Sequence, residues 1–230
     1  QWVNDSATPG AGTITAAMIA SGLQLGTVDG QNNTLLGLTA GDSFSGTDAT
    51  NNTLIGYAAG TAITTGDQSV ALGMNALMAT TTASKNTAVG YYSLGVNTTG
   101  AENTAVGHLA LHNNTTASNN TAVGRNSLVE NTTGTGNTAV GSSCLDACTT
   151  GSSNVAIGLS ALSSATTANS NTAIGKDSLF TVVTGAQNTA VGHDSLQYNT
   201  NNNNTAVGYQ ALKQNTIAYE NTAVGYQALL

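Results

Sequence analysis

Few residues in this chain could do chemistry, and the first candidates are a pair of cysteines. Cys144 and Cys148 are the only cysteines and lie four residues apart. Across a bend they could form a local disulfide in an oxidising compartment. Alternatively, Cys144 is a small buried apolar residue, because its position holds Ala or Ser elsewhere in the chain. Two cysteines without nearby ligands do not favour a zinc site.

Two further pairs have spacings that could suit a metal ion. His108 and His112 have the spacing of a helical metal pair, but the pattern around them is that of a bend and a strand, which disfavours this role. Asp177 and Asp194 are 17 residues apart, which equals the repeat period described below, so they are expected to stack at about 4.8 Å. Adjacent carboxylates repel unless a proton, a cation or a Lys intervenes. Copies related by three-fold symmetry could hold Ca²⁺, but solvated surface is favoured, and the sequence predicts no metal site and no cofactor.

A catalytic constellation is absent from the sequence. It contains no Ser-His-Asp order in a credible frame and no phosphate-binding loop. The sequence therefore predicts a protein that is not an enzyme.

The elements that position these residues are copies of one sequence motif, Asn86-Thr87-Ala88-Val89-Gly90. Twelve copies end at Gly37, Gly56, Gly73, Gly90, Gly107, Gly124, Gly141, Gly158, Gly175, Gly192, Gly208 and Gly225. Successive differences are 19, then 17 eight times, then 16 and 17. A fixed period in this range predicts a repeat architecture in which one short unit stacks on the next.

Each unit is predicted to contain a strand, a sharp bend at the Gly, a short second strand ending in Leu, and a turn. In the strand, Thr87 and Val89 share one face and Ala88 lies on the other. The β-branched residue is predicted to face the core, together with the Leu four residues after the Gly. The predicted core residues are Val89, Leu94, Val106, Leu111, Val123, Leu128, Val140, Leu145, Ile157, Leu162, Ile174 and Leu179.

The Asn97–Gly100 type of segment is predicted to be a turn in which Asn and Gly take positive φ. Gly41 and Gly60 replace the Leu in the first two copies.

The small residue between Thr and Val predicts a subunit contact, because nothing larger would fit against another backbone. Two large apolar side chains per coil offset little of the backbone entropy that a coil loses on folding. A bundle of three chains is therefore expected.

The repeats resemble those of a known family. Asn86–Leu94 and Asn221–Leu229 look like the head repeats of trimeric autotransporter adhesins, and still more like the related repeats of phage tail fibres. Ser69–Gly73 and Asn154–Gly158 are closest to the adhesin version. The resemblance covers about residues 31–230 and implies a left-handed parallel β-roll that assembles as a homotrimer. The 17-residue period is longer than that of most adhesin heads and indicates a longer turn.

Composition excludes other classes of protein. Charged residues make up 7% of the chain, and the net charge of −7 includes only four basic residues, which excludes nucleic-acid binding. No apolar run of about 20 residues is present, so no membrane insertion is predicted.

Residues 1–30 are interpreted as a cap or neck, and residues 31–230 as the β-roll domain. Leu230 directly follows the last motif, so the full product is expected to continue beyond it or to have lost a C-terminal piece.

Three functions are consistent with these features. The favoured one is a structural fibre segment of a phage virion, with flanking fibre or virion proteins and a host surface receptor, which could be a glycan, as partners. Tyr91, Tyr209 and Tyr226 are the receptor-contact candidates, with unselected surface as the alternative. The second function is the head of an adhesin on the bacterial cell surface. The third is an ice-binding solenoid that uses the Thr column, of which the motif supplies one row.

Overall fold

The computed structural model describes residues 31–44 and 48–230, and these residues form a parallel β-solenoid of about twelve coils. Each coil contains one three-residue strand, and no helix occurs in this part of the chain. The strands are β1 (Thr34–Leu36), β2 (Thr53–Ile55), β3 (Val70–Leu72), β4 (Thr87–Val89), β5 (Thr104–Val106), β6 (Thr121–Val123), β7 (Thr138–Val140), β8 (Val155–Ile157), β9 (Thr172–Ile174), β10 (Thr189–Val191), β11 (Thr205–Val207) and β12 (Thr222–Val224). The predicted all-β parallel solenoid and its period of about 17 residues are confirmed. The predicted cap, residues 1–30, lies outside the described residues.

Successive strands pair in parallel and in register. Thr87 lies beside Thr104, Ala88 beside Ala105 and Val89 beside Val106, and the same pairing joins each strand to the next along one sheet. Hydrogen bonds between coils continue beyond the strands, for example from the Leu94 N–H to the Ala110 carbonyl at 3.1 Å. Coil-to-coil bonding therefore involves most of each turn as well as the strand.

The coil interior lies on the alanine side of the strand, and the prediction that valine faces it is wrong. Ala88 is completely buried, whereas Val89 is half-buried and Ile157 is 38% exposed. The leucines, by contrast, are inside as predicted: Leu94 and its equivalents Leu111, Leu128, Leu145, Leu162 and Leu179 are completely buried. The reason is space. Leucine from the turn fills the narrow interior, so the strand can contribute only a small residue.

The partly exposed members of the predicted core share one position, the last residue of each strand. They are Val89, Val106, Val123, Val140, Ile157 and Ile174. Each points outward from the coil, on the same side as the strand threonine.

The first two coils confirm this assignment by exchanging the large residue. Leu54 takes the alanine position of β2 and is completely buried, while Gly60 takes the leucine position. A Cβ on Gly60 would lie 2.8 Å from Leu54 Cδ1. Gly41 and Leu35 make the same exchange in the first coil, where a Cβ on Gly41 would lie 3.0 Å from Leu35 Cδ2. The strand and turn positions therefore share one volume.

In the described part of the coils, turns replace the predicted second strand. Tyr92 and Leu94 both have left-handed backbone conformations, with φ of 52° and 48°. The Ser93 N–H bonds to the Gly90 carbonyl and the Asn97 N–H to the Leu94 carbonyl, which closes two consecutive turns. Positive φ was expected within Asn97–Gly100 but occurs instead at these two residues and just before the motif, at Lys85 and Glu102.

The motif glycine is required by the approach of the next coil. Gly107 has a φ of 138°, and a Cβ there would lie 2.4 Å from the Gly124 carbonyl oxygen. Backbone stacks directly on backbone at this point, so no other residue fits.

Asparagines line the interior beside the apolar residues. The strand asparagine column consists of Asn33, Asn52, Asn86, Asn103, Asn120, Asn137, Asn154, Asn171, Asn188, Asn204 and Asn221, with Ser69 in the third coil. Asn154 is typical: its Oδ1 accepts the Asn171 N–H at 3.0 Å and its Nδ2 donates to the Ala168 carbonyl at 2.8 Å. The column therefore satisfies buried backbone groups that the turns leave unpaired.

A second, shorter set lies in the turn. The turn asparagine column consists of Asn97, Asn114, Asn131, Asn199 and Asn215, and Cys148, Ala165 and Val182 interrupt it. The Asn131 Nδ2 donates to Asn114 Oδ1 and to the Gly134 carbonyl. That carbonyl also accepts a bond from Asn120 at 2.9 Å, so the turn column duplicates a bond that the strand column already makes.

Candidate functional site

Two neighbouring rows of side chains form the outer surface beside the strands. The first row is the last residue of each strand, and the second is the residue after the motif glycine. The first row is apolar in every coil, and members of both rows are substantially exposed, such as Leu72 at 46% and Tyr57 at 50%. The second row mixes Leu, Met and Tyr with the polar residues His108, Arg125, Ser142, Lys176 and His193. We call these two rows the outer apolar columns. An apolar row that continues from coil to coil, as the first row does, is characteristic of a contact site.

The three tyrosines predicted as receptor contacts lie in the second row and are exposed. Tyr209 stacks on Tyr226, with ring centroids 5.2 Å apart and planes 12° apart, and His193 stacks on Tyr209 at 5.6 Å. Tyr91 stacks on His108 at 5.3 Å. The period brings the rings together because residues at the same position of successive coils are neighbours.

Stacking determines which part of each ring is available to a ligand. Tyr209 has a stacked ring on both sides, His193 and Tyr226, whereas Tyr226 has a stacked ring on one side only. At Tyr209, hydrogen bonding through the hydroxyl is therefore better placed than stacking of a sugar on a ring face.

The two cysteines are free thiols in the interior, so the predicted alternative of a disulfide is wrong. Cys144 Sγ lies 3.0 Å from the Ala156 carbonyl, where Ser127 Oγ makes the equivalent bond to Ala139 one coil earlier. Cys148 Sγ lies 3.5 Å from the Gly151 carbonyl. Burial raises the pKa of Cys144 to about 12 and that of Cys148 to about 11. Both are inert thiols, as the buried-residue interpretation of Cys144 expected.

His108 and His112 do not converge on a common site. His108 stacks on Tyr91, whereas His112 Nδ1 lies 3.1 Å from the Tyr92 carbonyl oxygen. Neither belongs to a group of three or more potential metal ligands in the described part of the chain.

Asp177 and Asp194, in contrast, do come together, and His193 joins them. Potential ligand atoms of these three side chains all lie within 4.8 Å of one another, and within residues 31–44 and 48–230 this is the only such group. Asp194 is buried, and the other two are half-buried. The stacking of the two carboxylates agrees with the spacing argument.

Lysines lie beside both carboxylates. Lys213 Nζ donates to Asp194 Oδ2 at 2.8 Å, Gln210 Nε2 donates to the same oxygen at 3.1 Å, and Lys176 Nζ lies 3.1 Å from Asp177 Oδ2. Desolvation on its own would raise the pKa of Asp194, but the hydrogen bonds from Lys213 and Gln210 outweigh it and hold that pKa below its usual value. The same bond raises the pKa of Lys213.

Sequence reasoning missed His193 and Lys213 as partners of this pair. His193 could have been found, because it directly precedes Asp194 and therefore belongs to the same bend. Lys213 follows Asp194 by 19 residues, which is more than one period, so counting columns does not bring the two together.

No helix in the described part of the chain is long and apolar enough to span a membrane. Comparisons of the chain with family models, curated proteins and solved structures gave no match.

Proposed function

We propose that this chain is a structural, non-enzymatic segment of a phage tail fibre, which assembles as a homotrimer of left-handed coils and presents a surface that binds a host receptor. The observation that carries the proposal is the first of the outer apolar columns, which places a partly exposed Val, Ile or Leu on the outer side of the strand in every coil. The motif resemblance supports the trimer, the handedness and the tail-fibre role.

The subunit contact belongs on the valine side of the strand in this proposal. Alanine was expected to make it, but Ala88 and its equivalents are covered by their own chain. Val207 is 37% exposed and Val224 is 70% exposed, so burial against sister chains would remove apolar area from water in coil after coil. Identical chains suit this surface because their columns have the same period and can match along the whole rod.

A rod with a repeating surface also fits the spacer role. Parallel in-register stacking makes each coil a near copy of the one before it, so the chain extends in one direction without forming a compact body. The exposed residues Tyr209 and Tyr226 supply hydrogen-bonding hydroxyl groups on adjacent coils, which suits a polar receptor such as a glycan.

Sedimentation equilibrium tests the assembly. We expect a particle of three times the 22.8 kDa chain mass. In Val106→Asp/Val140→Asp we expect monomers, because six carboxylates would have to be desolvated in the interface. Thr99→Asp/Thr133→Asp places the same charges on exposed turn positions and is expected to remain trimeric. Far-UV circular dichroism verifies that each variant is folded, and a monomeric parent chain would contradict the proposal.

The sequence on either side of this chain tests the fibre role. Neighbouring virion structural genes would support it, whereas a secretion signal upstream together with a membrane anchor downstream would make the chain an adhesin head. Binding of the purified trimer to the host cell, once the host is identified, should weaken in Tyr209→Phe/Tyr226→Phe, which removes the hydroxyls and keeps the rings stacked.

A further inference from the structure

The Asp177, His193 and Asp194 group has features that a solvated acidic pair lacks. It combines two carboxylates with an imidazole, and its members come from two adjacent coils. Asp177 lies two residues after Gly175, and Asp194 lies two residues after Gly192. Equivalent positions of stacked coils are neighbours, so the period itself brings the two carboxylates together.

The carboxylates are oriented by bonds on one side only. Lys213 and Gln210 hold Asp194 by its Oδ2, and Lys176 pairs with Asp177 through its Oδ2. The other oxygen of Asp194, Oδ1, lies 3.3 Å from His193 Nδ1. In metal sites, hydrogen bonds to the ligating carboxylates orient them toward the ion. The two ammonium groups also offset the charge of the carboxylates, so the affinity for an ion depends on the geometry of the three ligands and on the imidazole.

The imidazole provides an independent observation. His193 Nδ1 is buried and has no hydrogen-bond partner, although Asp194 Oδ1 lies only 3.3 Å away. Stacking on Tyr209 holds the ring in this orientation. A buried ring nitrogen that faces carboxylates without a hydrogen bond is suited to ligating a metal ion as neutral imidazole.

We propose that Asp177, His193 and Asp194 bind one divalent first-row transition-metal ion per chain, with Zn²⁺ as the reference ion. Imidazole together with carboxylate favours these metals over Ca²⁺, which takes oxygen ligands. Bonds of about 2.0–2.2 Å from each ligand place the donor atoms about 3–4 Å apart, so atoms that lie within 4.8 Å converge through small side-chain rotations. Water completes the coordination, because the protein supplies three ligands on one side.

The ion would bond two coils together at the outer surface. Asp177 comes from the coil of β9, whereas His193 and Asp194 come from the coil of β10. Binding to the folded state alone raises thermal stability in proportion to the logarithm of the metal concentration above its dissociation constant. The site also changes the expectation from the sequence, which considered the two aspartates for Ca²⁺ and did not include the histidine.

The chain contains a matched control for the histidine. His108 occupies the same position in its own coil and stacks on Tyr91 as His193 stacks on Tyr209. It belongs to no group of ligands in the described residues. Replacing either histidine therefore disturbs a similar aromatic stack, but only His193→Ala removes a ligand.

Isothermal titration of the assembled, metal-free protein with Zn²⁺ at neutral pH tests the site. We expect one ion per chain, at least 100-fold weaker binding in His193→Ala and in Asp177→Asn, and unchanged binding in His108→Ala. Melting temperatures measured without metal check that the variants fold, and Zn²⁺ should raise them only in the parent and in His108→Ala.

Three results would overturn the proposal. They are a parent chain that binds no Zn²⁺, equal binding in the parent and His193→Ala, and a loss of binding in His108→Ala. A parallel titration with Ca²⁺ should give no saturable heat, and saturation by Ca²⁺ with no response to Zn²⁺ would contradict the assigned class of metal.

Discussion

In the first two coils, the large interior residue comes from the strand and glycine lies four residues after the motif glycine. In the ten coils that follow, alanine lies in the strand and leucine lies in the turn, with Ala71 and Leu77 the first such pair. The two kinds of coil differ by an exchange of the large and the small residue between the strand and the turn, but the same interior space is filled in both. The strand asparagine column passes through both regions, broken only by Ser69.

The difference shows that the two parts of the interior obey different rules. The apolar part requires a certain total volume of side chains, which either the strand position or the turn position can supply. The polar part requires a particular group at a particular place, because each asparagine pairs with backbone groups of its own coil and of the next. Apolar residues should therefore be exchangeable across the coil, whereas strand asparagines should not be replaceable in either region.

The largest expected effect is the loss of a strand asparagine. In Asn154→Ala, the Asn171 N–H and the Ala168 carbonyl lose their partners, and in Asn52→Ala the Ser69 N–H and the Gly66 carbonyl do so. At about 1–3 kcal/mol for each buried unpaired group, each variant should lose about 2–6 kcal/mol of unfolding free energy. Denaturant unfolding at one chain concentration measures this loss.

A turn asparagine provides the control for that experiment. In Asn131→Ala the Gly134 carbonyl keeps its bond from Asn120, so the one buried group that loses its partner is Asn114 Oδ1. We expect a loss of about 1–3 kcal/mol, roughly half of that expected for Asn154→Ala. Equal losses at positions 131 and 154 would show that the two columns do not differ as argued.

The exchange of apolar residues predicts a compensating pair. Leu54→Ala alone should cost about 2–5 kcal/mol through the cavity it leaves, and Gly60→Leu alone should cost about 1–3 kcal/mol or more, because the new side chain meets Leu54 and Ile63. In the double variant the loss should be smaller than the sum of the two single losses, because the new leucine fills the space that Leu54 leaves, while Ile63 still lies beside it. A double-mutant cycle from denaturant unfolding measures the coupling, and additive losses would refute the idea of a shared volume.

The last effect is absent at neutral pH and concerns the two buried thiols, of which Cys148 interrupts the turn asparagine column. The native pKa values of Cys144 and Cys148 are about 12 and about 11, whereas an unfolded thiol titrates near 8.5. The unfolded state therefore releases these protons first, so stability is retained below about pH 8.5 and falls by about 1.4 kcal/mol per pH unit per thiol as pH rises toward the native values. In Cys144→Ser/Cys148→Ala this part of the decline should disappear. If both proteins lose stability with the same slope between pH 9 and pH 11, the thiols are not the cause.

The sequence predicts the stacking well because stacking depends on the period alone. Counting residues places Asp177 beside Asp194 and Tyr209 beside Tyr226 without any knowledge of the shape of the coil. The leucine core was also predictable, because Leu94 and its equivalents are the largest apolar residues that recur at one position.

Which face of the strand points into the coil could not be predicted in the same way. Alternation separates Val89 from Ala88, but it does not say which of them faces inward, since that depends on how much space the rest of the coil leaves. Leu94 and the asparagines fill that space from other parts of the coil, which reverses the usual preference for burying the larger residue. The exchange of Leu54 and Gly60 was the signal in the sequence that could have decided between the two faces.

The turn after the glycine could not be predicted for a related reason. Tyr92 and Leu94 take left-handed conformations that their residue types disfavour, and only the bonds to neighbouring coils and the packing of the leucine stabilise them there. Local propensity therefore favours a strand at this point, and the tertiary structure overrides it. The metal candidates divide in the same way, because Asp177 and Asp194 follow from the period, while the contribution of Lys213 depends on the path of a long side chain.

The in-register stacking of equivalent residues in successive coils affects how such a rod can evolve. Glycine lies over glycine and asparagine over asparagine, so the top of one coil matches the underside of almost any other. Gaining or losing a whole unit leaves every type of junction intact and changes the reach of the molecule by about 4.8 Å. Length can thus be adjusted in equal steps by duplication or deletion of units, without redesign of the surfaces that hold the rod together.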